Sequence, residues 1–146
     1  GKRLVKLRTG IVLSNDGGAL KEFKNPLRFG LATILGSGKQ IISWIHVDDL
    51  CRMYEEAIQN EQLNGIYNAI APNPVTNKDL TVALAKKMRD NTFITVPVPS
   101  FVLKIVLGEL SIEVLKSATV SSAKIQNAGF QFLYPTIDAA FNELIS

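Results

Sequence analysis

Apolar residues recur along this chain in two rhythms, short dense runs and longer runs with helical spacing, and the two alternate. Val5 to Leu13, with Val5, Leu7, Ile11, Val12 and Leu13, reads as a strand halted by Asn15-Asp16-Gly17-Gly18. Lys21 to Leu31 is a weakly periodic helix interrupted by Pro26. Because proline suits a first turn, that helix is expected to begin near Asn25. Gly36-Ser37-Gly38 is a turn. Gln40 to Ile45 is too dense in apolar residues for one-faced burial and predicts a strand covered on both sides. From Asp48, a natural N-cap, the rhythm turns helical. Leu50, Met53, Tyr54, Ala57 and Ile58 fall on one face.

Gly65 to Ala71 predicts another strand, ended by Pro72 and Pro74. Thr76-Asn77-Lys78-Asp79 resembles a capping box and opens a helix bearing Leu80, Ala83, Leu84 and Met88. Phe93 to Val98 is a further dense strand. Helices are then expected over Ser100 to Leu107, Glu109 to Lys116 and Ser121 to Ala128, the last closed by Gly129. Thr136 caps a final helix with Ile137, Ala140, Phe141, Leu144 and Ile145 on one stripe. Alternating strands and helices predict an α/β fold with a parallel sheet, followed by a helical cap.

Composition narrows this picture. A chain of 146 residues with 47% hydrophobic content has a core and is not disordered. No apolar run reaches the ~18 residues of a membrane span, so no membrane partner is expected. The first eight residues include four basic ones but run straight into a strand, unlike a signal peptide. The single cysteine, Cys51, fits a reducing, cytoplasmic setting and is expected to be a small buried hydrophobe. A net charge of +3, without aromatic residues among the basic ones, gives no reason to expect nucleic acid.

The chemistry that is missing is informative. Gly36-Ser37-Gly38 begins a dinucleotide-binding turn, but Ile41 stands where the third glycine belongs. Gly38-Lys39 satisfies only part of a phosphate-binding loop. No Tyr-x-x-x-Lys pair exists, since Tyr54, Tyr67 and Tyr134 are followed four residues later by Ile58, Ala71 and Asp138. His46 and Cys51 cannot make an ordinary zinc site, and no metal is expected. A Ser43/His46/Asp48 triad is too close in sequence to converge, so His46 is read as a satisfied structural histidine.

Several segments carry a family resemblance. They are Arg8-Thr9-Gly10-Ile11-Val12-Leu13, Gly36-Ser37-Gly38-Lys39-Gln40, Ser43-Trp44-Ile45-His46-Val47-Asp48-Asp49 and Gly65-Ile66-Tyr67-Asn68. Ala71-Pro72-Asn73-Pro74-Val75-Thr76-Asn77, Val96-Pro97, Leu107-Gly108-Glu109 and Gly129-Phe130-Gln131-Phe132-x-Tyr134-Pro135 follow in order. The chain resembles the C-terminal, substrate-side part of an NAD-dependent epimerase/dehydratase of the atypical extended short-chain dehydrogenase/reductase class. The subgroup is the one labelled nucleoside-diphosphate-sugar epimerase or cell-division-inhibitor-like.

The resemblance implies the C-terminal part of a doubly wound, Rossmann-like parallel-sheet fold with a small, mostly helical substrate-side lobe. Residues 1–146 would then form a single portion lacking the cofactor-binding half, with Gly1 marking a cut in a longer chain. NAD or NADP would serve the full-length protein, with hydride transfer as its chemistry. None is expected for this chain alone, which would be inactive and hold no catalytic residue. Its partners would be a small-molecule substrate and either the missing half or a second copy of itself. The alternative is a non-enzymatic binding or regulatory module.

Two departures stand out. Many relatives that bind nucleotide sugars carry Arg-Asp where this chain has Ile42-Ser43, so a diphosphate contact is absent. Gly-Gly and Gly-Gln-Arg of the subgroup are replaced near Ala32-Thr33 and Lys116-Ser117-Ala118.

Gln40, Trp44 and Asn68 are the candidate substrate-binding residues. Trp44 offers a flat face for a substrate ring, or belongs to the core. Gln40 reaches a pocket from the strand start, or is a solvated loop residue. Asn68, polar within an apolar strand, must bond either a neighbouring loop backbone or a ligand, since an unpartnered amide there would cost ~1–3 kcal/mol. Arg8 is expected to pair with Asp48 or Asp49.

Overall fold

The computed structural model describes the backbone of residues 1–146 and every side chain except those of Leu107, Leu110, Glu113 and Val114. The side chain of Leu107, in the segment Leu107-Gly108-Glu109, therefore lies outside the described residues. The elements in chain order are β1 (Val5–Thr9), β2 (Ile11–Leu13), α1 (Ala19–Leu27), β3 (Leu31–Leu35), β4 (Ile41–Ile42), β5 (Trp44–His46) and α2 (Val47–Gln59). They continue as β6 (Gly65–Ala69), β7 (Val75–Thr76), α3 (Asn77–Arg89), β8 (Ile94–Val98), α4 (Ser100–Leu107), α5 (Leu110–Leu115), α6 (Ala123–Asn127) and α7 (Ile137–Leu144). β1 pairs with β6, β2 with β5 and β3 with β8, all parallel, while β4 and β7 are antiparallel.

The expected strand over Val5 to Leu13 is two strands that serve different partners. β1 runs in register with β6 from Val5↔Gly65 to Thr9↔Ala69, and β2 runs with β5 from Ile11↔Trp44 to Leu13↔His46. The exchange happens at Gly10, whose amide bonds the Ala69 carbonyl at 3.2 Å while the Ile11 amide bonds the Ser43 carbonyl at 2.9 Å. A Cβ on Gly10 would lie 2.5 Å from that Ser43 oxygen, so only glycine lets the chain pass beneath it. Gln40 to Ile45 is likewise split, at Ser43, into β4 and β5.

The density of β5 has a simple cause. Successive strand residues face opposite sides. Trp44 enters a core with Leu13, Leu80, Leu84 and Phe141, and Ile45 enters a second core with Met53, Tyr67, Ile125 and Phe130.

Other boundaries differ from expectation. α1 begins at Ala19, directly after Gly17 and Gly18 at φ 134° and 71°, and Pro26 sits in its last turn. A proline there forfeits a single bond, to the carbonyl of exposed Glu22, and the helix stops one residue later. The segment after it is not helix: β3 alternates half-buried and buried residues beside β8. α2 is capped by His46 rather than Asp48, and Tyr54 and Ile58, placed on its apolar face by periodicity, are 51% and 74% exposed. Cys51 is exposed, not buried. Thr76 and Thr136 cap α3 and α7 as expected, accepting from the Asp79 and Ala139 amides at 3.0 and 3.2 Å.

Among the described residues, no helix is long and apolar enough to cross a membrane.

Candidate functional site

The carboxyl ends of parallel strands are where α/β sheets place ligands, and three of the residues singled out lie close to such ends. Gln40 precedes β4 and is buried. Its side-chain amide donates to the Leu35 carbonyl at 3.0 Å, and its own carbonyl accepts from the Asn77 amide at 3.0 Å. Asn77 completes the clasp by accepting from the Leu35 amide at 2.9 Å. Gln40 thus seals the end of β3. Trp44 is fully buried, and its indole N–H donates to the Asn73 carbonyl at 3.0 Å. Asn68 is half-buried in β6 and donates to the Ser121 carbonyl at 3.0 Å, the loop-backbone partner open to it from sequence.

A single segment, Ser117 to Ser121, ties much of this region together. Ser117 Oγ accepts from the Ile41 amide at 2.9 Å, the Ala118 amide donates to the Ile41 carbonyl at 3.3 Å, and Ser43 Oγ donates to the Ala118 carbonyl at 2.8 Å. Asn68 holds the segment's far end. The two departures from the family pattern, Ile42-Ser43 and Lys116-Ser117-Ala118, therefore touch one another. Ile42 points into the core at 8% exposure, and no cation stands in that pair of positions.

The carboxyl end of β5 carries a second cluster. His46 is 1% exposed and stacks on Tyr134 with ring centroids 3.9 Å apart and planes 26° from parallel. Its Nδ1 accepts from the Asp48 amide at 3.0 Å, so in the neutral ring Nε2 carries the proton and donates to Glu143 Oε2 at 2.9 Å. Asp48, at 54% exposure, stands 3.8 Å from Nδ1. His46, Asp48 and Glu143 offer three ligand atoms within 4.8 Å of one another. They do not fit a metal: a cation on either ring nitrogen would displace a bond already made, and the second carboxylate would face the opposite edge of the ring. The cluster is a joint between α2 and α7, in keeping with the structural reading of His46. Ser43 turns away to Ala118, so no triad forms.

Asp49, next in sequence, is completely buried. It accepts from the Leu133 and Tyr134 amides at 2.9 Å each and pairs with Arg52 at 2.8 Å. Arg8, expected to pair with Asp48 or Asp49, is exposed and forms no ion pair among the described residues. Partial burial, together with Glu143, Asp48 and Asp49, raises the Tyr134 phenol above its ordinary value. Sequence reasoning did not find the roles of Asp49, Tyr134 and Glu143, because the contacts that tie Asp49 to the Leu133-Tyr134 backbone and His46 to Glu143 span 84 to 97 residues and leave no local pattern.

A dinucleotide needs backbone amides opened by glycine. The Gly36-Ser37-Gly38 turn is closed instead: a Cβ on Gly36 would lie 2.7 Å from Leu115 Cδ2, and one on Gly38 would strike Ile34 Cγ2. These glycines answer packing, and the residues present do not fit a pyrophosphate.

Comparison with known proteins gives the context. A domain of unknown function, DUF1731, matches residues 98–144. An epimerase family protein of Staphylococcus aureus is 40% identical over the whole chain, which covers 48% of that protein. The structure of a human epimerase family protein, SDR39U1, with NADPH superposes with a TM-score of 0.90 at 32% identity, over 98% of this chain and 48% of that one. A nucleoside-diphosphate sugar epimerase of Corynebacterium glutamicum gives a TM-score of 0.73 at 32% identity, over 99% of this chain and 26% of its own. The chain spans about half the length of the curated relatives it matches.

Proposed function

We propose that the chain, which is similar over its whole length to epimerase family proteins and spans about half of theirs, is the substrate-side half of an NAD(P)-dependent epimerase/dehydratase-like oxidoreductase. The observation that carries this reading is the superposition on a relative whose structure holds NADPH. NAD or NADP would supply the hydride chemistry from the other half, since the glycines here do not cradle a phosphate. Gln40, Trp44 and Asn68 would shape the substrate side indirectly, each through backbone: Gln40 holds Leu35, Trp44 holds Asn73, and Asn68 holds the end of the Ser117–Ser121 segment against which a substrate would rest. With Ile42 and Ser43 turned to the core and to Ala118, that wall would hold its ligand without a cation at those positions.

The surface supports a partner of the same fold. β1 pairs only with β6 among the described residues, leaving its other edge open, and parallel strands are normally flanked on both faces. Arg3 donates to the Ala57 and Ile58 carbonyls at 2.8 and 3.4 Å, which ties the start of β1 to the end of α2, and Leu4 and Ile58 are 59% and 74% exposed. We read this apolar edge as the seat of the cofactor-binding half. The test is to titrate NADPH, and to measure mass by light scattering, on two proteins: the chain alone, and the chain fused behind the N-terminal half of the Staphylococcus relative. Saturable NADPH binding and a discrete mass are expected only for the fusion, with self-association of the chain alone. Saturable NADPH binding by the 146-residue chain itself would overturn the proposal.

A further inference from the structure

At the carboxyl end of β2 the chain turns through Ser14–Gly17 and folds back along α1, lining a half-open pocket of about 320 Å³. Lys21, Lys24 and Arg28 line it. Their spacing of three and four residues sets them on one face of the helix, within about 10 Å of its axis length. Lys24 is half-buried and held in place: its ammonium donates to Asn15 Oδ1 at 2.7 Å, on the opposite wall. None of the three cations belongs to an ion pair among the described residues. Asp16 is the one acid in the lining, so the pocket carries an excess of two positive charges.

We propose that this pocket binds the dianionic phosphate of a small phosphomonoester, with Lys24 as its central contact and Lys21 and Arg28 closing on the remaining oxygens. Arg supplies a fork and Lys a point charge, the pair of donors that phosphate recognition uses. A volume at the lower end of ligand pockets suits a phosphate with a short carbon skeleton. Burial, and then the neighbouring Arg28, lower the Lys24 ammonium below its ordinary value, and an anion beside it would offset both. The site is separate from the strand ends sealed by Gln40, Trp44 and Asn68, and does not depend on the cofactor reading.

The test is amide-resolved NMR of the 146-residue chain, at a concentration where light scattering finds one discrete mass, titrated with glycerol 3-phosphate and with inorganic phosphate, against sodium chloride at matched ionic strength. Saturable shifts confined to Ser14–Gly18 and α1 are expected with both phosphates and not with chloride. Inorganic phosphate alone would show that the skeleton adds nothing and reduce the site to a simple anion hole, overturning the monoester assignment. Lys24→Gln should weaken binding about tenfold or more, the loss of one charge-assisted bond. Arg28→Gln should do the same, and an unchanged spectrum away from the pocket shows that each variant is folded. Since a monoester takes up its second proton near pH ~6, affinity should fall as pH is lowered through that value. Equal shifts with chloride, or the same affinity in wild type and Lys24→Gln, would refute the site.

Discussion

Replacing Asp49 by alanine should be among the most damaging single changes available to this chain. The carboxylate is fully buried and accepts three hydrogen bonds: from the Leu133 amide, the Tyr134 amide and Arg52. Arg52 would survive the loss, because it also donates to the Gln131 carbonyl at 2.9 Å and lies 5.1 Å over the Phe130 ring. The two backbone amides have no such reserve. An unmet buried donor costs about 1–3 kcal/mol. Leu133 is 57% exposed, so water would reach part of the gap and the lower half of that range applies to each amide. The sum is about 3 kcal/mol, a large share of the 5–15 kcal/mol that holds a typical domain. For a chain of this size that is a fall in Tm of roughly 10 °C.

Asp48→Ala is the matched control. Asp48 is 54% exposed, offers a charge near the start of α2 and caps nothing, so about 0.5 kcal/mol is expected. Urea denaturation followed by tryptophan fluorescence reads both variants. Equal losses for Asp48→Ala and Asp49→Ala, or an Asp49 loss under 1 kcal/mol, would show that the 133–134 backbone is held by something else.

Three further outcomes follow from the same geometry. Gly10→Ala should cost about 1–3 kcal/mol or more, through collision of the new methyl with the Ser43 carbonyl and with Ile70, whereas Gly17→Ala meets no atom and is burdened only by its backbone angle; thermal melts of the two variants give the comparison. Tyr134 has a folded pKa raised above its unfolded value near 10, so the folded state holds the proton more tightly: its contribution is complete below pH ~10 and is lost as pH climbs through the folded value. Tyr134→Phe should flatten the fall in stability above pH ~10 without altering its slope near neutrality, as read from urea midpoints across that range. His46→Ala should cost more than the ~1 kcal/mol of a lost cap, since the stack on Tyr134 and the bond to Glu143 go with it, and His46→Asn should restore the cap alone; calorimetry of the three forms separates the contributions.

Much of the fold was legible because it follows from local rules. The threonine caps, the apolar stripe of α7 and the breaks at Pro72 and Gly129 need only neighbouring residues to be understood, and the structure keeps them. What failed was decided at a distance. Nothing local says that Val5 to Leu13 changes partner at Gly10; the reason is a carbonyl from Ser43. Asp48 is a better cap by residue type than His46, yet the chain turns two residues earlier, and Asp49 is spent on backbone 84 and 85 residues away. Tyr54 and Ile58 have helical spacing but face outward. For the candidate site, Asn68 was readable as a polar residue in need of a partner. The Ser117–Ser121 segment that supplies it was not, because irregular backbone has no periodicity to detect.

The three residues of β5 have a consequence for how this protein comes apart. Trp44 faces one core and Ile45 the other, so neither core can loosen without withdrawing a wall from its neighbour. The two should melt together, in one cooperative step, rather than as separate subdomains. Amide protons at the centre of this short strand should then exchange only when the whole chain opens. Trp44, the single tryptophan, is buried at that shared wall, so its emission is a native probe of the collective event.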